Sequence, residues 1–287
     1  MHKLTVASIL IGFLASFTTA APTPAKVLVP GAGFRLASTV HQVPDGGSLA
    51  HIDESTIHVL DAAGAVVKAV THTPTKVKSA VEPLETGWVA YASWLNTGSS
   101  PISSFKTTFT VPPVPAANHG QTVFLFNSIE PNSGDAILQP VLQFGPSAAG
   151  GGSFWAVASW YLVGDSTFFT NPIRTSAGAT LDGVITLTSS SGSSFNYVTS
   201  FSNIAGTSLT ATGSAQLTWA TETLEAYGVT TKADYPAGST VFSAIDLVLS
   251  NGNAPSVSWS TVSDSPDGIS TKVNTSGATN AEITITY

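Results

Sequence analysis

The chain has 287 residues, a formal net charge of −7, a mean hydropathy of +0.25 and no cysteine. That length suits one large domain, or a large one with a small one, and the missing cysteine excludes a disulfide scaffold, thiol catalysis and cysteine–zinc sites. Beyond residue 120 only Arg174, Lys232 and Lys272 are basic, against eleven acids and no histidine, which excludes a nucleic-acid partner and an anionic membrane surface.

The first element is a short basic start, Met1-His2-Lys3, with an apolar run from Leu4 to Phe17 and small residues to Ala20. These are the parts of a secretory signal peptide over residues 1–20, so the expected location is secreted and extracellular. No later run is long and apolar enough for a membrane helix. Residues 21–80 hold four histidines and five cations. They read as a pro-segment or N-terminal arm. Within them His51–Leu60 and Ala65–Val70 flank the turn Asp61-Ala62-Ala63-Gly64 and predict a small β-hairpin. Thr71–Lys78 reads as a linker.

From about Glu82 strand follows strand: 87–94, 102–111, 122–129, 136–144, 153–163, 180–188, 194–201, 208–212, 215–227, 240–249, 256–261 and 281–287. Short turns rich in Gly, Ser, Asn and Pro separate them. This predicts an all-β domain over residues 81–287, an antiparallel sandwich or barrel. Ala and Glu in 215–227 favour helix, but the threonines and Trp219 tilt it to strand. Asn274-Thr275-Ser276 is a glycosylation sequon that suits an exported surface. The sparse lysine and excess carboxylate suit an acidic medium.

There is no G-x-S-x-G elbow, H-E-x-x-H motif or EF-hand loop, and Asp264–Gly268 reads as a plain turn. Glu222 and Glu225 are three apart, so on a strand they point to opposite faces and cannot flank one bond together. What remains are polar groups on apolar strands. Ile137, Gln139, Val141 and Gln143 share a face; so do Gln216, Thr218, Ala220, Glu222 and Leu224; and so do Trp155, Val157, Ser159 and Tyr161. Such residues are either hydrogen-bonded members of a half-solvated sheet or the lining of a groove.

Ala136-Ile137-Leu138-Gln139, then Trp160-Tyr161, then Trp219-Ala220-Thr221-Glu222 resemble the fungal glutamic peptidases, the eqolisins. The resemblance spans residues 87–287. It implies a sandwich of two large antiparallel sheets, of concanavalin A-like or jelly-roll type, made as a preproprotein with residues 21–80 as the pro-segment. It assigns Gln139 and Glu222 as catalytic, with Glu222 as general base near its ordinary pKa of about 4.3, and Gln143, Trp155, Tyr161 and Glu130 as substrate-binding. This sequence departs from the family at Gln143, Ser159, Val157 and Ile129-Glu130. The expected protein is a monomeric acid endopeptidase acting on polypeptide, with no metal or cofactor and an N-glycan at Asn274. The alternative is a catalytically silent extracellular sandwich holding polysaccharide or another ligand, with Trp155, Trp160, Tyr161 and Trp219 as stacking surfaces.

Overall fold

A computed structural model describes residues 24–74 and 86–287. The signal segment, the start of the 21–80 segment and the second half of the expected linker lie outside the described residues. The N-terminal strands are β1 (Lys26–Val29), β2 (Gly33–Leu36), β3 (Val40–Gln42), β4 (Ser48–His51), β5 (Thr56–Leu60) and β6 (Val66–Thr71). There follow β7 (Thr86–Leu95), β8 (Ile102–Thr110), β9 (Thr122–Glu130), β10 (Ala136–Ser147), β11 (Gly150–Val163), β12 (Ser166–Phe169) and β13 (Ile173–Arg174). The remainder are β14 (Thr180–Ser191), β15 (Ser194–Phe201), β16 (Leu209–Ser214), β17 (Trp219–Tyr227), β18 (Ser239–Leu249), β19 (Ser260–Val262), β20 (Ser270–Thr275) and β21 (Ala281–Thr286).

Two large sheets form the expected sandwich. One has nine strands in the order β19-β7-β17-β9-β10-β11-β12-β3, with β13 beside β11; the other has ten, β20-β21-β18-β8-β14-β15-β16-β4-β5-β6. Alternating side chains of both sheets meet in one interior, where Phe105, Phe109, Leu125, Leu142, Leu224 and Phe242 are buried. The open run 215–227 is strand only from Trp219 onward.

β9 is buried at every position, and β10 over its first ten residues. An antiparallel sheet facing water on one side would alternate, so the nine-stranded sheet must carry a third layer. That layer is the β1–β2 hairpin, whose Leu28 and Val29 pack with Phe124, Phe126, Ile137, Val141 and Trp160 on the outer face.

The expected hairpin forms as β5–β6. Its turn is set by the Asp61 carboxylate, which accepts from the amides of Ala63 and Ala65, both at 2.9 Å. The arm also does something the sequence did not signal. β3 runs parallel to β12 in one sheet, and β4 runs parallel to β16 in the other.

Candidate functional site

The outer face of the nine-stranded sheet is where polar side chains interrupt an apolar layer. Register fixes which ones share it. Glu225 lies opposite Phe124, Thr221 opposite Ser128, Trp219 opposite Glu130, and Gln139 opposite Trp160. Directly opposed residues project to the same side of a sheet, so Gln139, Ser128, Thr221, Thr223, Glu225 and Glu130 all look outward. The hydroxyls of Ser128 and Thr221 are 2.8 Å apart, and those of Thr221 and Thr223 are 2.9 Å apart.

Two of these groups meet one peptide bond. Gln139 Nε2 donates to the Pro30 carbonyl oxygen at 3.0 Å, and the Gly31 amide donates to Glu225 Oε2 at 2.7 Å. The Pro30–Gly31 bond, at the turn of the β1–β2 hairpin, is thus gripped by an amide at its oxygen and by a carboxylate at its nitrogen. Gln139 Oε1 is buried with no hydrogen-bond partner among the described residues. Glu225 Oε1 accepts from the Tyr227 hydroxyl at 2.5 Å.

Burial dominates the charge balance here. It pushes Glu225 up to about 7, although the Tyr227 hydroxyl and the Gly31 amide pull it down by stabilising the carboxylate. Glu130 is pushed up to about 8, first by burial and then by the Glu225 charge. Both carboxyls are thereby held toward the neutral acid, and a charge on Glu225 adds to the rise at Glu130.

Glu222 is not part of this pair. It lies opposite Asn127 on the interior side of β17, and both residues are fully buried. Neither of its carboxyl oxygens makes a full hydrogen bond among the described residues. Burial raises its pKa well above the ordinary value, with the nearby Thr107 hydroxyl countering only in part. The expectation of an ionised Glu222 beside Gln139 is therefore corrected: the two side chains leave opposite faces of the sheet. The partner that sequence reasoning missed is Glu225. Its signal was the alternation of Trp219, Thr221, Thr223, Glu225 and Tyr227, which needs the register through β9 before it can be matched to Gln139.

Of the residues expected to bind substrate, Glu130 is on the site face. Gln143 is turned into the β10–β11 turn, where Nε2 donates to the carbonyls of Gly145 and Gly150 at 2.7 and 2.9 Å, and Oε1 accepts from Ser147. Trp155 packs on Phe144 in the interior with 5.4 Å between ring centroids. Tyr161 is also interior, its hydroxyl 2.9 Å from His51 Nε2. Both belong to the side of β11 that faces the opposite sheet, which corrects their assignment to the groove. Trp160 and Trp219 do lie on the outer face. They stack on Phe169 and Trp88, at 5.0 and 5.8 Å, so neither is an open platform.

No protein-family profile matches the chain, and no curated protein matches it. Among solved structures it is similar to a scytalido-glutamic peptidase with a peptide-based transition-state analogue. The TM-score is 0.45 at 14% identity, over 70% of this chain and 98% of that one. It is also similar to SCP-B, a member of the eqolisin family of peptidases in a complex with a tripeptide. There the TM-score is 0.43 at 15% identity, over 70% of this chain and 98% of that one. A further match is the CBM2 module of the evolved Dit protein of Lactobacillus casei phage J-1. Its TM-score is 0.33 at 13% identity, over 55% and 73% of the two chains.

Proposed function

We propose that this chain hydrolyses peptide bonds in polypeptide substrates with Gln139 and Glu225 as its working pair. The observation that carries the reading is the grip on Pro30–Gly31, an amide donor at the carbonyl oxygen and a carboxylate at the nitrogen. On a substrate in that place, ionised Glu225 takes a proton from water, and the water oxygen bonds to the carbonyl carbon. Gln139 Nε2 donates to the oxyanion that develops, and Gln139 Oε1 accepts from the attacking water. The C–N bond then breaks, and protonated Glu225 gives its proton to the leaving amine.

Secretion and work in an acidic medium belong to the same proposal. Glu225 is held near 7 by burial under the hairpin. Water on an uncovered face relaxes that penalty and returns the carboxyl toward the ordinary range of about 4.3, where it is a base in mild acid.

The test is digestion of denatured protein from pH 3 to 8 by wild type, Glu225→Gln and Glu222→Gln. Loss of about 10²–10⁴-fold in rate is expected for Glu225→Gln, with Glu222→Gln close to wild type. Equal rates for wild type and a folded Glu225→Gln would end the assignment.

A further inference from the structure

Glu225 and Tyr227 are two apart on β17 and project to one side of the sheet. The Tyr227 hydroxyl donates to Glu225 Oε1 at 2.5 Å, the short separation of an O–H donor on an ionised carboxylate. Burial first, and then the Glu225 charge, push the Tyr227 phenol well above the ordinary tyrosine range, so it keeps its proton and stays the donor. The body of the protein holds the ring, which meets Phe124 of β9 edge-on at 6.4 Å.

The surroundings of Glu225 leave Tyr227 a distinct task. On the other flank, Thr223 turns its hydroxyl to Thr221 at 2.9 Å. The second donor to Glu225 is the Gly31 amide, which belongs to the hairpin and reaches the other oxygen, Oε2, at 2.7 Å. The two carboxylate oxygens are therefore not equivalent. Oε2 meets the peptide unit whose carbonyl oxygen Gln139 holds, while Oε1 is occupied by Tyr227. A substrate in the hairpin's place removes the Gly31 amide, and the Tyr227 hydroxyl is then the donor that stops the carboxylate from turning about its last bond. A carboxylate fixed at one oxygen keeps the other directed at its reaction partner.

We propose that Tyr227 is a positioning residue for the hydrolysis. It pins Glu225 by Oε1 and so assigns Oε2 as the oxygen that takes the proton from water and returns it to the leaving amine. Tyr227 itself neither gains nor loses a proton in the cycle. The inference rests on the reading of Gln139 and Glu225 as the working pair.

The same hydrogen bond favours the ionised carboxyl, so it lowers the pH at which Glu225 becomes a base. The other titratable groups on this face are Glu130 on β9 and Tyr91 on β7, opposite Thr223. Burial and then the Glu225 charge raise Glu130, and burial and then the Glu130 charge raise Tyr91. The hairpin's cations are engaged elsewhere or in solvent: Arg35 donates to the carbonyls of Gly164 and Ser166, and Lys26 is exposed.

The full-length chain is compared with Tyr227→Phe, which keeps the ring and removes the hydroxyl, and with Glu225→Gln. A further form carries fluorotyrosine at position 227, whose more acidic phenol donates more strongly. Each is assayed on denatured casein from pH 3 to 8. The Glu225 carboxyl is titrated by NMR of isotope-labelled glutamate, its signal being the one missing from Glu225→Gln. Tyr227→Phe is expected to move the acid limb of kcat/KM and the Glu225 titration up together, by roughly one to two units. It should also lower kcat roughly tenfold with KM unchanged. Fluorotyrosine should move the acid limb the other way, which a merely structural role for the ring would not do. An acid limb and a titration that stay in place in Tyr227→Phe overturn the inference, and loss of hydrolysis in Glu225→Gln in the same assay then leaves the working pair standing. No hydrolysis by wild type at any pH removes the hydrolase reading and the inference with it.

Discussion

Glu225 keeps a carboxylate under cover because two donors reach it, the Tyr227 hydroxyl and the Gly31 amide. Glu222, three positions earlier on the same strand, has only the nearby Thr107 hydroxyl to counter its burial, and the adjoining Asn127 side-chain amide makes no hydrogen bond among the described residues. An unpaired buried carboxyl is stable only as the neutral acid. Its folded pKa lies above the unfolded value, so the stability it lends is complete below about 4.3 and is lost as pH rises toward the folded pKa. Glu222→Gln removes the titration and keeps the shape. Thermal unfolding from pH 4 to 8 should show a flatter curve for that variant. At pH 8 its Tm should lie above wild type by roughly 2–4 °C for each kcal/mol recovered in a domain this size. At Gln139 the companion prediction is kinetic: Gln139→Ala removes an oxyanion donor, and a fall in kcat of about 10²–10³-fold is expected in single-turnover assays.

At the scale of elements, strand positions were legible because alternation and turn residues are local properties. Most of the long strands fall where the pattern put them. The face on which a strand shows its polar residues is not local. Alternation along β17 separated Glu222 from Glu225, yet only pairing through β9 tells which of them shares a side with Gln139. Short members escaped for a different reason: β12 and β3 are four and three residues long and take their extended form from their neighbours.

The β10–β11 turn shows how a polar residue can mimic a site. Gln143 occupies a site-facing position by alternation, but a register shift after Phe144 bends the strand and Gln143 ties the turn together. The bend depends on Gly145, with φ +90° and no room for a side chain: a Cβ would be 2.1 Å from the Gln121 carbonyl oxygen. Gly145→Ala must move the start of β9 or unwind the bend. A loss of roughly 2–3 kcal/mol in urea unfolding is expected.

Across the whole molecule, acid acts in opposite senses on the arm and the body. His41 and His51 are both pushed down to about 4, chiefly by burial and secondarily by Lys68 and His72 respectively. His72 is lowered by burial, against the pull of Asp165, Asp135 and Asp53. Lys68 Nζ stands 2.9 Å from His41 Nδ1, which suits only a neutral imidazole. The stability His41 and His51 lend is present above about 6.5 and drains away as pH falls toward 4. The buried glutamates of the body gain stability over much of the same range. Hydrogen exchange at pH 4 and pH 7, corrected for intrinsic rates, should show protection lost across β3–β6 in acid while β9, β10 and β17 hold theirs. Equal protection of the arm at both pH values would contradict this.

Between Gln42 and Ser48 the chain leaves one sheet and joins the other, with β3 closing the edge at β12 and β4 laid along β16. In a protein without a single cysteine, this strap is a non-covalent clip across the open end of the sandwich. Peeling it away would uncover two bare ladders at once, each a template for another strand. A chain stripped of its arm should therefore be the one that sticks to itself, and the intact chain the one that stays in solution.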